Sequence, residues 1–236
     1  MIEKLPYLKL SNGELLKTGE VKNTIMGELT IQKFNHGYDL ASRTSLINHL
    51  ISKYNFKNYL EIGVRDGRNF EKILIKNKVG VDPNPTKDII NLQKISSDDF
   101  FKINKDFFDI IFIDGLHLES QVDRDIEGSL KFLSDKGFII MHDCNPPTEF
   151  HQRDNYEVNG KFPTWNGTVW KSFAKLRMAE LNLEISCVNC DWGVGIIKHG
   201  KSKPFKSTQS LDFKFLDNNR VELLNLISVE NFIKKY

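Results

Sequence analysis

Cysteine is scarce in this sequence. Three occur among 236 residues, Cys144, Cys187 and Cys190, too few and too scattered for a disulfide framework. Cys187 and Cys190 form a C-x-x-C, but no second pair follows at the spacing of a structural zinc site. Nor does ISCVNCDWGVGIIK open a helix, as a redox motif would. It reads as strand, turn, strand, so the pair is structural. Long apolar runs are missing too, which argues against a bilayer span. The start, MIEKLPYLKL, lacks the basic residues and continuous apolar stretch of a secretory leader. A cytoplasmic protein without a membrane partner is expected, and the sequon Asn166-Gly167-Thr168 then carries no glycan. Excess charge of either sign is absent: 33 Lys and Arg face 31 Asp and Glu, a net charge of +2. With no basic stripe interleaved with aromatics, nucleic acid is not an expected partner, and HGKSKPFK (199–206) is a solvated loop. No repeat, low-complexity tract or Pro/Gly/Ser linker divides the chain.

What is present is an ordinary globular composition, 40% hydrophobic and 27% charged, in a chain long enough for one substantial core. From residue 58 onward, short apolar runs alternate with segments of helical period. NYLEIGV (58–64), KVGVD (78–82), LQKIS (92–96), FDIIFID (108–114) and GFIIMHD (137–143) read as strands. RNFEKILIKN (68–77), LESQVDRDIEGSLKFL (118–133) and GTVWKSFAKLRMAEL (167–181) read as helices. LEISCV and GVGIIKH close the series as two strands joined by a tight turn. Such alternation predicts βαβ units in a parallel sheet covered on both faces. The fold class is therefore α/β, a doubly wound, mostly parallel seven-stranded sheet with an antiparallel C-terminal hairpin at one edge. Residues 1–57 and 205–236 fall outside the alternation as N- and C-terminal helical extensions of a central 58–204 domain. They could support a homo-oligomer.

In open sheets of this kind a ligand lies beyond the carboxyl ends of the strands, where strand order reverses. The first strand runs into Glu61-Ile62-Gly63-Val64-Arg65-Asp66-Gly67, an E-x-G-x-x-x-G whose glycines permit a sharp turn and close approach to a ligand. The G-x-G-x-x-G of a nicotinamide site is absent, so the loop suits a nucleoside without a pyrophosphate. Asp82 ends the second strand, where an acid accepts from ribose hydroxyls. Ser97 and Asp98 follow the third and could face an adenine edge. Each feature alone is equally a tight turn or a helix cap; their order on consecutive strands is what points to a site.

Asp114 ends the strand FDIIFID, and His142-Asp143 ends the next. One right-handed crossover joins these strands, so their ends should be neighbours. Asp114, His142 and Asp143 can then hold a divalent cation with positions left open for substrate oxygens. An ion there would lower the pKa of an alcohol and orient it. His117, one turn beyond Asp114, has an ordinary pKa of about 6.5, suited to a general base. The plainer alternatives are a cap at Asp114, a surface histidine, and a turn at His142-Asp143 leading into Asn145-Pro146-Pro147.

Through LEIGVRDG, VGVD and FDIIFID, residues 58 to 199 resemble the class I S-adenosylmethionine-dependent methyltransferases. The resemblance implies a Rossmann-like fold and S-adenosylmethionine as cofactor, bound by Glu61, Gly63, Gly67, Asp82, Ser97, Asp98 and Asp114. IFIDGLHLESQVDRDIEGSLKFLSDKGFIIMHDCNPP is similar to the metal-dependent sugar O-methyltransferase branch, which acts on glycosylated natural products and surface polysaccharides. That similarity implies Asp114, His142 and Asp143 as metal ligands and His117 as the base. The branch often has two acids, or an acid and an amide, where this chain has His142-Asp143. An imidazole ligand moves the expected ion from Mg²⁺ towards Fe²⁺ or Mn²⁺.

The acceptor is less legible. Trp165 and Trp170 in WNGTVWKSF suit either sugar stacking or core anchoring, and 154–162 belong to a long loop suited to a lid. His151 and Arg153 are placed to meet an acceptor phosphate, as a nucleotide-linked sugar would present. A catechol-like acceptor is the alternative within this chemistry. An iron-dependent oxygenase fits the His/carboxylate set but has no use for the glycine loop. A non-catalytic binding module would need no base at His117.

Overall fold

The computed structural model describes residues 39–236 in full. Before them it describes four short strands, β1 (Tyr7–Lys9), β2 (Leu15–Lys17), β3 (Glu20–Ile25) and β4 (Glu28–Lys33). The rest of 1–38, including most of MIEKLPYLKL, lies outside the described residues. β1 pairs with β2 and β3 with β4, both antiparallel. Among the described residues of the region read as a helical extension over 1–57, helix is confined to α1 (Arg43–Tyr54). The described stretches before it are strands, which matches the β-branched content of EVKNTI and ELTIQK.

Ser42 caps α1 in a reciprocal pair with Ser45, and Asn55 ends the helix at φ 56°. Leu46, Ile47, Leu50 and Ile51 form its buried stripe. Eight strands then build the main sheet. They are β5 (Asn58–Ile62), β6 (Asn77–Val81), β7 (Leu92–Gln93), β8 (Phe108–Ile113), β9 (Leu133–Met141), β10 (Leu183–Val188), β11 (Val194–His199) and β12 (Leu226–Ile227). Their order is β12-β10-β11-β9-β8-β5-β6-β7. β5 to β9 run parallel, and β11 is antiparallel to both β9 and β10. The expected hairpin is present, but β12 adds a parallel strand outside it, which makes eight strands rather than seven.

Helices α2 (Ser97–Ile103), α3 (Glu119–Lys131), α4 (Val169–Met178) and α5 (Phe213–Leu223) contribute to one apolar layer, with Phe100, Ile126, Phe173 and Leu216 at its centre. On the other face α1 packs with α6 (Val229–Lys235) over Tyr59, Ile110, Phe138 and Ile140. Burying each such side chain contributes roughly 1.5–3 kcal/mol. Among the described residues no helix is long and apolar enough to cross a membrane.

Two expected elements differ. The helix over 68–77 is absent; a single 3-10 turn at Phe70–Lys72 stands there. No side chain caps that turn, and β-branched Ile73 and Ile75 favour extended chain. Asn48 instead bonds the extended backbone at Lys72 O and Leu74 N. The third strand shrinks from 92–96 to Leu92–Gln93 because Ser96 is committed to capping α2, accepting from Asp99 N at 3.1 Å.

The chain passes from β5 outward to β6 and β7, then returns to β8 on the opposite side of β5. The carboxyl ends of β5 and β8 therefore flank the reversal of strand order.

Candidate active site

The loop after β5 turns sharply at this reversal. Gly63 has φ 86°, and a Cβ there would lie 2.1 Å from the Asp114 carbonyl oxygen, so no other residue permits this approach of the β5 and β8 ends. Arg65 and Gly67 continue with φ 50° and 76°. Asp82, at the end of β6, holds the loop by accepting from Arg65 N at 2.7 Å and Asn84 N at 2.8 Å. Each carboxylate oxygen keeps a lone pair for a further donor. Glu61 is buried and accepts from Tyr59 OH at 2.5 Å and Asn69 Nδ2 at 2.8 Å. Burial outweighs those bonds and pushes its carboxyl up to about 7. Ser97 Oγ donates to the buried Asp125 at 2.5 Å, Gln121 supports both, and Asp98 pairs with Arg124. Ser97 and Asp98 thus sit at the N-terminus of α2, with their side chains already engaged by α3.

Beyond β8 and β9 the predicted acid and imidazole groups come together. His117 Nε2 lies 3.4 Å from Asp114 Oδ1 and 3.4 Å from Asp143 Oδ2. His117 Nδ1 is 3.2 Å from the Trp165 carbonyl oxygen. A carbonyl only accepts, so Nδ1 carries a proton and Nε2 faces the two carboxylates. Burial disfavours the charged ring, but Asp143 and Asp114 outweigh it and raise the proton affinity of His117. Three electron-pair donors that converge in this way call for a cation or a proton between them. Asp114, His117 and Asp143 offer ligand atoms all within 4.8 Å of one another, a set whose chemistry fits a divalent ion.

His142, expected as a ligand, stands outside that group of three. Its Nδ1 is 2.8 Å from Asp143 Oδ2 and 3.2 Å from Asp114 Oδ1, while its Nε2 meets Arg43 Nη1 at 2.7 Å. Asp143 has φ 61° and is held at both oxygens, by His142 on Oδ2 and by the buried Asn166 on Oδ1 at 2.7 Å. His142 is thus engaged by Arg43 and Asp143, and the imidazole within the group of three is that of His117.

Three residues of this arrangement have no local signature. Arg43 opens α1, Asp191 sits on the β10–β11 turn, and Asn166 appeared in the sequence only within a sequon. The sole signal was Asn166-Gly167 after a tryptophan. Gly167 has φ 61° and no room for a Cβ, which would lie 2.0 Å from the His117 carbonyl oxygen. Thr168 completes the seam, its N donating to His117 O at 2.8 Å and its hydroxyl accepting from Glu119 N at 2.8 Å.

The two tryptophans divide. Trp170 is fully buried with Nε1 donating to Gln152, a core anchor. Trp165 stacks on His117, with ring centroids 5.0 Å apart, and Tyr156 and the exposed Phe162 continue this file outward. The phosphate role expected of His151 and Arg153 is not supported. Arg153 donates to the carbonyls of Phe150, Thr164, Tyr156 and Pro163 and lies over the Phe150 ring, so it staples the loop to itself. His151 is buried against Thr148 and Trp192, and desolvation holds it neutral with a pKa of about 3. Cys144, Cys187 and Cys190 are buried free thiols.

Residues 60–144 match the sequence profile of a family described as a methyltransferase domain. No curated protein sequence matches the chain. Among solved structures, the S-adenosylhomocysteine-bound methyltransferase PaMTH1 of Podospora anserina is similar at 18% identity and TM-score 0.54, over 69% of this chain and 80% of that one. TomG of Streptomyces achromogenes, an O-methyltransferase of tomaymycin synthesis solved with S-adenosylmethionine, is similar at 12% identity and TM-score 0.51, over 69% and 83%. At these identities the likeness is one of fold. Residues 60–144 are thus similar to a methyltransferase domain, and the fold of the chain is the one these methyltransferase structures share.

Proposed function

We propose that the protein is a divalent-metal-dependent O-methyltransferase that methylates a hydroxyl of a carbohydrate, with a nucleotide-linked sugar as acceptor. The observation that carries this reading is the convergence of Asp114, His117 and Asp143 at the ends of adjacent parallel strands, beside the glycine loop. S-adenosylmethionine, when bound, supplies an electrophilic methyl group that an oxygen nucleophile displaces from sulfur. Gly63 and Gly67 make room for it, Asp82 receives its ribose hydroxyls, and Ser97 and Asp98 face its base. Asp114 and Asp143 would hold the ion, and an ion there would lower the pKa of a bound hydroxyl and orient it. His117 takes the hydroxyl proton on Nε2, and the Trp165 carbonyl keeps the other ring nitrogen protonated. With carboxylates as the ligands, Mg²⁺ and Mn²⁺ suit the site; Fe²⁺ is the ion to test against them.

The file of Trp165, Tyr156 and Phe162 leading out from His117 offers a face to a sugar ring, and equally to an aromatic one. It is the specific reason to keep a catechol-like acceptor as the second reading. The test is methyl transfer by metal-stripped protein to a panel of nucleotide sugars and catechols, with Mg²⁺, Mn²⁺ or Fe²⁺ returned singly. The proposal expects a one-methyl mass gain on a sugar that chelator abolishes. Gain on catechols alone would transfer the assignment to the second reading, and chelator-insensitive gain would remove the metal.

A further inference from the structure

Arg43, the first residue of α1, sets a cation among acids. Its backbone N donates to Asp191 Oδ2 at 2.8 Å, and its Nη1 lies 3.1 Å from Asp191 Oδ1 and 2.7 Å from His142 Nε2. Its Nε stands 3.7 Å from Asp114 Oδ2, too far for a hydrogen bond. Among the described residues Nη2 meets no acceptor. Burial opposes the charge of the guanidinium, but Asp114, Asp191, Asp143 and Glu61 outweigh it. Nε and Nη2 share one edge of the planar group, the edge that grips a carboxylate through two parallel bonds. That edge borders Asp114, and with 29% of the side chain exposed it is open to a ligand.

The first turn of α1 is fastened to the cofactor loop. Thr44 Oγ1 donates to Asn69 Oδ1 at 2.7 Å, Asn69 Nδ2 donates to Glu61 at 2.8 Å, and Gly63 lies against the Asp114 carbonyl. Arg43 therefore stands where the glycine loop meets the end of β8. The loop's own arginines are exposed, and Arg68 pairs with Asp66 at 2.8 Å. S-adenosylmethionine carries a sulfonium, an α-ammonium and an α-carboxylate. The acids suit the first two groups, but they repel the third unless a cation meets it. We propose that Arg43 is a cofactor-binding residue whose Nε and Nη2 donate to the α-carboxylate of S-adenosylmethionine. The inference rests on the reading of the glycine loop as the S-adenosylmethionine site. An acceptor phosphate is the other anion this edge could grip. The aromatic file read as the acceptor's path, however, leads out from His117 through Trp165, whereas Arg43 belongs to the glycine loop.

Calorimetry on metal-stripped protein tests this with S-adenosylhomocysteine and its decarboxylated analogue, S-adenosyl-3-thiopropylamine, which keeps the adenosine, the thioether and the amine. The wild type is expected to prefer S-adenosylhomocysteine by about 10–100-fold, the worth of hydrogen bonds between charged groups. In Arg43→Gln the preference should shrink to about threefold or less. A variant that is merely loosened binds both compounds more weakly and keeps the ratio. A second readout needs no variant: saturating S-adenosylhomocysteine should shield Arg43 of the wild type from phenylglyoxal, read by peptide mass, and the saturating analogue should not. A wild-type preference below about threefold, a preference undiminished in Arg43→Gln, or equal shielding by both compounds would overturn the proposal. Should the wild type bind neither compound, the S-adenosylmethionine reading fails and the proposal with it. Equal binding of both removes the proposal alone.

Discussion

Asn166 donates its side-chain N–H to Asp143 Oδ1 at 2.7 Å, and both residues are buried. The bond joins the segment before α4 to the end of β9 and, with His142 on Oδ2, leaves Asp143 a single orientation. Replacing Asn166 by Ala should lower kcat/KM by roughly 10–100-fold, as loss of a ligand's orienting partner does. Unfolding free energy should fall by about 1–3 kcal/mol for the carboxylate left without its donor. Steady-state kinetics and urea unfolding check the two together, and an activity loss no larger than twofold would contradict the role.

His117 should divide binding from chemistry. His117→Gln is expected to lower kcat by about 10²–10⁴ while Mn²⁺ affinity changes by only a few-fold, because Asp114 and Asp143 remain. Parallel kinetics and Mn²⁺ titration decide. Loss of the ion would instead make His117 a ligand.

Glu61 sets a pH dependence of stability. Its folded-state pKa of about 7 lies above the ordinary 4.5, so between these values the folded chain binds the proton that the unfolded chain has released. Stability therefore falls as pH rises through that window. Glu61→Gln, which cannot ionise, should be more stable than wild type near pH 8 by up to about 3 kcal/mol, with no gain near pH 5. Urea midpoints at both pH values test the sign.

Gly63 and the two tryptophans test the architecture. Gly63→Ala forces a Cβ to 2.1 Å from the Asp114 carbonyl and should abolish S-adenosylhomocysteine binding measured by calorimetry. Trp170→Ala should cost about 3–5 kcal/mol of stability. Trp165→Ala should leave stability nearly unchanged and lower kcat, since it touches His117 and not the core.

The sheet was legible because FDIIFID and GFIIMHD are parallel strands buried on both faces, which makes them continuous apolar runs. Asp114 and Asp143 stood out because polar residues end those runs abruptly. The helix at 68–77 was misread because Phe70 and Ile73, spaced by three, are buried in a 3-10 turn as they would be in a helix. Arg43, Asp191 and Asn166 were illegible for another reason. Each reaches the site from a distant segment, and only the packed fold brings it there. Arg153 shows the converse, a charged loop residue whose Nη1 and Nη2 donors are taken up by four nearby carbonyls.

The most direct measurement is calorimetric titration of Mn²⁺ into metal-stripped protein saturated with S-adenosylhomocysteine, for the wild type, Asp114→Asn and Asp143→Asn. One Mn²⁺ per chain in the wild type, with affinity lost in both variants, is the predicted result. No binding by the wild type, or binding that survives both substitutions, would contradict a metal centre built from these two carboxylates.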